Sequence, residues 1–249
     1  MLAALRSYAF TAFMVATIII MGIACLPALL FGKDAARAVV QFWARMMLGA
    51  LRLIAGVSHR IDGAEHIPQT GALVAANHQS MWETIALYAL LPKPVVILKK
   101  ELMAIPIYGW WARATGNIAV DRKAGAKALR AMRAAARRAI ENGEQVTVFP
   151  EGTRVAPGTR APFQPGVAGV YMAVEAPCVP IAHDSGRFWR HPGPRKEPGQ
   201  ITLVFAAPIE PGLDRKAFMA ALQSRIEAAR PDLSPAPQDA QPHTEHSHV

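Results

Sequence analysis

Two short strings hold the side chains best suited to chemistry: Asn77-His78-Gln79-Ser80-Met81-Trp82-Glu83 and Phe149-Pro150-Glu151-Gly152-Thr153-Arg154. An imidazole near neutral pKa can take a proton from an alcohol as that alcohol attacks a carbonyl, and a nearby carboxylate can fix the tautomer and stabilise the imidazolium. His78 and Glu83 are candidates for that pair. In the second string Gly152 permits a sharp turn with close backbone approach. Arg154 offers a rigid, always-charged fork suited to phosphate, and Glu151 and Thr153 can hold the turn in shape. Taken singly, a His and a Glu five positions apart are commonplace, and an Arg after a strand more often makes a surface ion pair. Both strings in this order point to a hydroxyl activated beside a bound phosphate.

On a continuous helix, His78 and Glu83 would lie about 140° apart, so the pair needs a turn between them. The hydrophobic pattern supplies one. Residues 71–76 read as a buried strand running into the His78 string, and 82–91 as the helix after it. Further strands are expected at 94–98, 116–120, 146–149, 178–182 and 201–205, with helices at 124–141, stopped by Asn142-Gly143, and at 214–230, capped by Asp214. This alternation predicts an α/β fold with a central sheet flanked by helices.

The N-terminal part is different. Residues 8–31 are almost wholly apolar, long enough to cross a hydrocarbon core of about 30 Å. Gly22-Ile23-Ala24-Cys25 makes a poor lipoprotein box, which favours a retained anchor over a cleaved signal. Arg6 stands alone before the segment while Lys33, Arg37, Arg45, Arg52 and Arg60 follow it, placing the rest of the chain on the cytoplasmic face of the inner membrane. Pro27 leaves a re-entrant helical hairpin as the alternative to a full span. In 38–57, a stripe of Arg37, Gln41, Arg45 and Arg52 reads either as the wet edge of an interfacial helix or as the solvated edge of a core helix. The expected organisation is an anchor with an amphipathic helix over 1–58, a catalytic domain over 59–230, and a Pro-rich disordered tail over 231–249. In that tail His243, His246 and His248 are solvated rather than a metal site.

The 249 residues suffice for one full-sized core, and the formal charge of +9 implies an anionic partner: nucleic acid, anionic lipid or a phosphorylated substrate. Nucleic acid is disfavoured by the apolar segment, the few aromatics among the basic residues and the lack of a recognised module. Cys25 and Cys178 do not form a disulfide framework, consistent with a reducing compartment. Lys99 and Lys100 are as well explained by a solvated loop as by donor phosphates. Lys127, Arg130, Arg133, Arg137 and Arg138 mark an outer helix face near anionic lipid or carrier protein.

Four blocks now stand in order: Asn77 to Glu83, Gly116 to Arg122, Phe149 to Arg154, and Val179-Pro180-Ile181. They resemble the 1-acylglycerol-3-phosphate acyltransferases of the glycerolipid acyltransferase superfamily, whose blocks run roughly N-H-x-x-x-x-D, G-x-x-x-x-x-R, F-P-E-G-T-R and V-P-I. The resemblance implies acyl transfer from acyl-CoA or acyl carrier protein to the sn-2 hydroxyl of lysophosphatidic acid at the membrane surface, giving phosphatidic acid. It makes His78 the general base, Glu83 its orienting acid, and Arg122 and Arg154 phosphate ligands, with Glu151, Gly152 and Thr153 shaping the loop. It implies no metal and no cofactor beyond the thioester co-substrate. The departure is Glu83 where the family usually has Asp, one methylene longer. A sister acyltransferase acting on glycerol-3-phosphate or a lyso-ornithine lipid shares these blocks, and a noncatalytic lipid-binding protein would keep the anchor and basic surface.

Overall fold

The structure, a computed structural model, describes residues 2–121 and 124–233. Seven strands, β1 (Val57–Asp62), β2 (Ala72–Ala76), β3 (Pro94–Lys99), β4 (Ile118–Val120), β5 (Gln145–Val148), β6 (Cys178–His183) and β7 (Gly199–Phe205), form one sheet in the order β1-β7-β6-β2-β5-β3-β4. All neighbours are parallel except β6 and β7, so β1 and β7 run against the other five. The strands expected between residues 71 and 205 are all present. Strands β2, β5 and β6 were legible as near-continuous apolar runs because both of their faces are covered. In β2 every residue is buried: Val74 and Ala76 enter one core, Leu73 and Ala75 the other.

Helices fill both layers. Helices α1 (Leu2–Ala24), α2 (Lys33–Ala50) and α3 (Trp82–Leu90) send Phe10, Met14, Met47, Trp82 and Leu87 into the first core. A short α4 (Tyr108–Ala114) packs beside α1 and α2, and Trp111 Nε1 donates to Gly22 O at 3.0 Å. Helices α5 (Gly125–Glu141), α6 (Pro165–Tyr171) and α7 (Arg215–Ala229) build the second core through Met132, Val170, Phe218 and Leu222. As expected, Asp214 caps α7, accepting from Ala217 N at 2.8 Å. Strand β1 was not expected. It is an edge strand with only Val57 fully buried, and its mixed polarity hides the signal. It also starts the sheet two residues before the boundary expected at 58/59.

The N-terminal segment is no separate module. Helix α1 lies along the domain: Ser7 Oγ accepts from Lys196 N at 2.9 Å, Lys196 Nζ donates to Thr11 Oγ1 at 3.0 Å, and Gly22 O meets Trp111 near the other end. A helix tied to the body from Ser7 to Gly22 does not stand perpendicular to it as a free span. Its outer face remains apolar, with Leu2, Leu5, Tyr8, Ile20 and Ile23 exposed, and Leu30, Phe31, Phe42 and Leu53 continue the exposed apolar surface on the elements that follow. Both α1 and the stretch Lys33–Ala55 are long and apolar enough to cross a membrane by length and composition alone.

The basic stripe on α2 is half internal, because Arg37 and Gln41 face the domain. Gln41 Nε2 donates to Leu91 O at 2.8 Å. Arg37 is 3 % exposed and pairs with Asp34 and Glu144, while Lys33 Nζ lies 2.6 Å from Glu144. Only Arg45 and Arg52 remain at the surface. Removing one partner of a buried pair leaves the other charge desolvated. Glu144→Ala is therefore expected to cost about 3–5 kcal/mol in denaturant unfolding, and Arg37→Met/Glu144→Met markedly less.

Of the stretch expected as a tail, residues 231–233 are described and Asp232 is held by the domain. Asp232 is held by Arg230 Nη2 at 2.6 Å, Gln79 Nε2 at 2.8 Å and Gly158 N at 2.7 Å. Residues 234–249, with the three tail histidines, lie outside the described residues. Cys25 and Cys178 are both free thiols.

Candidate active site

Parallel strands β2, β5 and β6 end on one edge of the sheet, where a parallel sheet places its ligands. The chain leaving β2 turns at Asn77 to Met81 before entering α3, and this turn solves the His78–Glu83 problem. Glu83 sits in the first turn of α3 and reaches back over it: Oε1 accepts from Gln79 N at 2.9 Å and Ser80 N at 2.8 Å, and lies 2.7 Å from His78 Nδ1. Ser80 Oγ and Ser185 Oγ donate to Oε2 at 2.7 and 2.8 Å. The carboxylate thereby satisfies amides at a helix start while gripping the imidazole, and the helix dipole favours its charge. Burial alone would raise the Glu83 pKa. The adjacent His183 ring and the hydrogen bonds from His78 and Ser80 outweigh burial, and Glu83 stays ionised well below the usual carboxylate range.

An ionised carboxylate only accepts, so the shared proton sits on His78 Nδ1 and leaves the lone pair on Nε2. Nε2 has no hydrogen-bond partner among the described residues, and the side chain keeps 16 % exposure. Phe149, at the end of β5, stacks on the ring at 4.1 Å between centroids and fixes its plane. The imidazole is oriented from below by Glu83 and from the side by Phe149.

The second string forms the adjoining turn. Gly152 N donates to Phe149 O at 3.0 Å, and Gly152 holds φ at +70°, in the left-handed region that favours glycine. The chain then crosses to the first string: Val155 N donates to His78 O at 2.8 Å and Arg154 Nε to Ser80 O at 2.9 Å. Arg154 also opens onto a cavity of about 460 Å³ that starts at Gln79, one residue from His78. Thr153 is exposed and Gly152 partly buried; Arg122 lies outside the described residues.

Comparison with known proteins shows the family. The Acyltransferase family matches residues 58–184, half of the chain and all of the three described blocks that build the site. The chain belongs to the acyltransferase family. It is 34 % identical over 194 residues to the 1-acyl-sn-glycerol-3-phosphate acyltransferase of Pseudomonas aeruginosa, covering 77 % of this chain and 75 % of that protein. The human 1-acyl-sn-glycerol-3-phosphate acyltransferase alpha is 32 % identical over 143 residues, 57 % of this chain and half of its own length. The crystal structure of the 1-acyl-sn-glycerophosphate (LPA) acyltransferase from Thermotoga maritima shares the fold, with a TM-score of 0.74 at 22 % identity, covering 90 % of this chain and 95 % of that one.

In this acyltransferase the sequence reading missed the residues that hold the two strings in place. His183 ends β6, is fully buried and locks onto Asn77: Nε2 lies 2.6 Å from Asn77 O, His183 N donates to Asn77 Oδ1 at 2.9 Å, and Asn77 Nδ2 donates to His183 O at 3.0 Å. Burial lowers its pKa against the pull of Glu83, and Ser185 N donates to its Nδ1 at 3.3 Å, so both ring nitrogens help to hold the turn. The usable signal was its place two residues after Val179-Pro180-Ile181, at the end of the strand beside β2. Among the described residues no group of three or more His, Cys, Asp or Glu is arranged to hold a metal.

Glu151 is buried, and its Oε2 has no hydrogen-bond partner among the described residues. Burial pushes its pKa up to about 7 from an ordinary 4.5, although the amides of Glu151 and His78 pull the other way. A raised carboxyl pKa means that the fold favours the protonated form. Its contribution is complete below pH 4.5 and is lost as pH rises through about 7. Glu151→Gln is expected to remove that loss, gaining about 3 kcal/mol over wild type in unfolding measured at pH 8 relative to pH 4.5.

Proposed function

We propose that this protein is a 1-acylglycerol-3-phosphate O-acyltransferase, moving a fatty acyl group from acyl-CoA or acyl carrier protein to the sn-2 hydroxyl of lysophosphatidic acid and giving phosphatidic acid. The observation that carries the reading is the 2.7 Å contact between His78 Nδ1 and Glu83 Oε1, with the Arg154 cavity lined by the neighbouring residue Gln79. His78 Nε2 takes the proton of the acceptor hydroxyl as its oxygen attacks the thioester carbonyl, and ionised Glu83 stabilises the imidazolium that forms. The tetrahedral intermediate then collapses, the C–S bond breaks, and the imidazolium returns the proton to the departing thiolate. Acid, base and orienting groups are all present in the chain, so the thioester is a co-substrate and the step calls for no resident cofactor. Arg154 is a phosphate ligand, with Gly152, Thr153 and Glu151 shaping its turn; Arg122 is assigned alongside it from its block.

Membrane association is part of the reading. The exposed apolar faces of α1 and the segment after it, with Arg45 and Arg52 beside them, fit a helical pair embedded in one leaflet with the sheet edge facing the lipid surface. The expected location, the cytoplasmic face of the inner membrane, rests on the excess of Lys and Arg after the apolar segment and holds if that segment is inserted from the cytoplasmic side. The test is an acceptor panel of lysophosphatidic acid, glycerol-3-phosphate and a lyso-ornithine lipid, each with labelled donor. Lysophosphatidic acid is expected to give the highest kcat/KM; preference for another acceptor assigns the protein to a sister activity.

A further inference from the structure

The cavity beside Arg154 has a second basic wall that no block of the first two strings supplies. The chain leaving β6 forms a short turn at Ser185–Arg187 and runs on to His191, and Arg187, Arg190 and His191 line the cavity together with Arg154. Among the described residues no acidic side chain lines it.

The two walls are held at a fixed spacing. Gln79 reaches both ways: its Oε1 accepts from Gly186 N at 3.0 Å, and its Nε2 donates to Asp232, which also accepts from Gly158 N in the opposite loop. Gly186 passes so near that a Cβ there would meet Pro157 at 2.8 Å and Gln79 at 3.0 Å. Behind the second wall Trp189 is buried edge-on against Phe10 of α1, with ring centroids 5.5 Å apart, and Lys196 Nζ lies 4.4 Å from the Trp189 ring. Arg190, the next residue, projects from an anchored backbone. Its guanidinium has no ion-pair partner among the described residues, whereas Arg187 lies 3.7 Å from Asp184. Arg154 Nη1 lies 3.3 Å from His191 Nδ1, and burial and the Arg154 charge hold the His191 pKa below the usual imidazole range, so the ring accepts there. The cavity gathers positive charge with too little negative charge to balance it.

We propose that Arg190, with Arg187 and His191, forms the far side of the acceptor's phosphate site, so that the phosphate monoester is clamped between the loops after β5 and β6 and these residues set selectivity for a phosphorylated acceptor. This rests on the reading of His78 as the base. In the acceptor the attacking hydroxyl and the phosphate are borne on adjacent carbons, so the phosphate must sit close to His78, and the cavity starting at Gln79 lies there. The nucleotide phosphates of CoA are separated from the thioester by the whole pantetheine arm and do not meet this requirement.

The experiment measures binding and turnover separately on the full chain in detergent micelles. Binding of glycerol-3-phosphate is measured by calorimetry for wild type, Arg190→Gln, Arg187→Gln/Arg190→Gln, and Arg195→Gln as a same-loop control outside the cavity. Both guanidiniums are solvent-exposed, so the variants are expected to fold, and thermal melts verify it. Loss of a charge-assisted contact is expected to weaken glycerol-3-phosphate binding about tenfold in the single variant and further in the double, with Arg195→Gln unchanged. In turnover with lysophosphatidic acid, KM is expected to rise by the same factors with kcat within about twofold. Wild-type binding in the double variant overturns the proposal, as does a fall in kcat with KM unchanged. Absence of any ester product from wild type would sink the acyl-transfer reading instead, and the binding arm would still decide whether this cavity holds a phosphate monoester.

Discussion

His78→Ala is expected to lower kcat/KM for lysophosphatidic acid by about 10³-fold or more, with the fold retained and vesicle flotation equal to that of wild type. Loss of a positioned general base costs roughly 10²–10⁴. The structure also removes its substitutes. Glu83 is fully buried and occupied by five donors, and His183 is fully buried with both ring nitrogens engaged, so neither replaces the lost base. The fold survives because Glu83 keeps its bonds to Gln79 N, Ser80 N, Ser80 Oγ and Ser185 Oγ when the imidazole is gone. Steady-state kinetics with circular dichroism and vesicle flotation check all three parts. Turnover within tenfold of wild type would remove His78 from the mechanism.

Glu83→Gln is expected to be nearly as damaging, at about 10³-fold in kcat, with a smaller effect on KM. The amide keeps the shape but lacks the charge that stabilises the imidazolium. It also turns an NH2 group either toward Gln79 N and Ser80 N or toward the Ser80 and Ser185 hydroxyls, groups placed to donate to an oxygen. Glu83→Asp is informative for a separate reason. The family block usually carries Asp at that place, yet here the amides of Gln79 and Ser80 and the Ser185 hydroxyl are set for the longer arm. Shortening it by one methylene is expected to cost about tenfold in kcat rather than to improve the enzyme. A Glu83→Asp variant faster than wild type would show that the turn adapts freely to either side chain.

The fold was legible where strands are covered on both sides, as with Ala72–Ala76, because burial on two faces leaves an unbroken apolar string. It was hidden at Val57–Asp62, an edge strand with half-wet positions. The docking of α1 was hidden for a different reason. Its lipid-compatible face and its packed face are both apolar, so sequence periodicity cannot tell Phe10, fully buried, from Ile20, 65 % exposed. The pair His78 and Glu83 could be picked out from spacing and motif, but its geometry could not: it depends on a turn whose amides close on Glu83. The second wall at Arg187, Arg190 and His191 left no local signal, since it meets Arg154 only because β5 and β6 flank β2 in the sheet.

The most direct test of the account is a single reaction run with two donors. Purified full-length protein in mixed micelles containing lysophosphatidic acid is given labelled acyl-CoA in one series and labelled acyl carrier protein in the other, and phosphatidic acid and free thiol are measured together. One phosphatidic acid is expected for each thiol released with at least one donor, and neither product from His78→Ala. Absence of phosphatidic acid with both donors, or equal product from the His78→Ala variant, would contradict it.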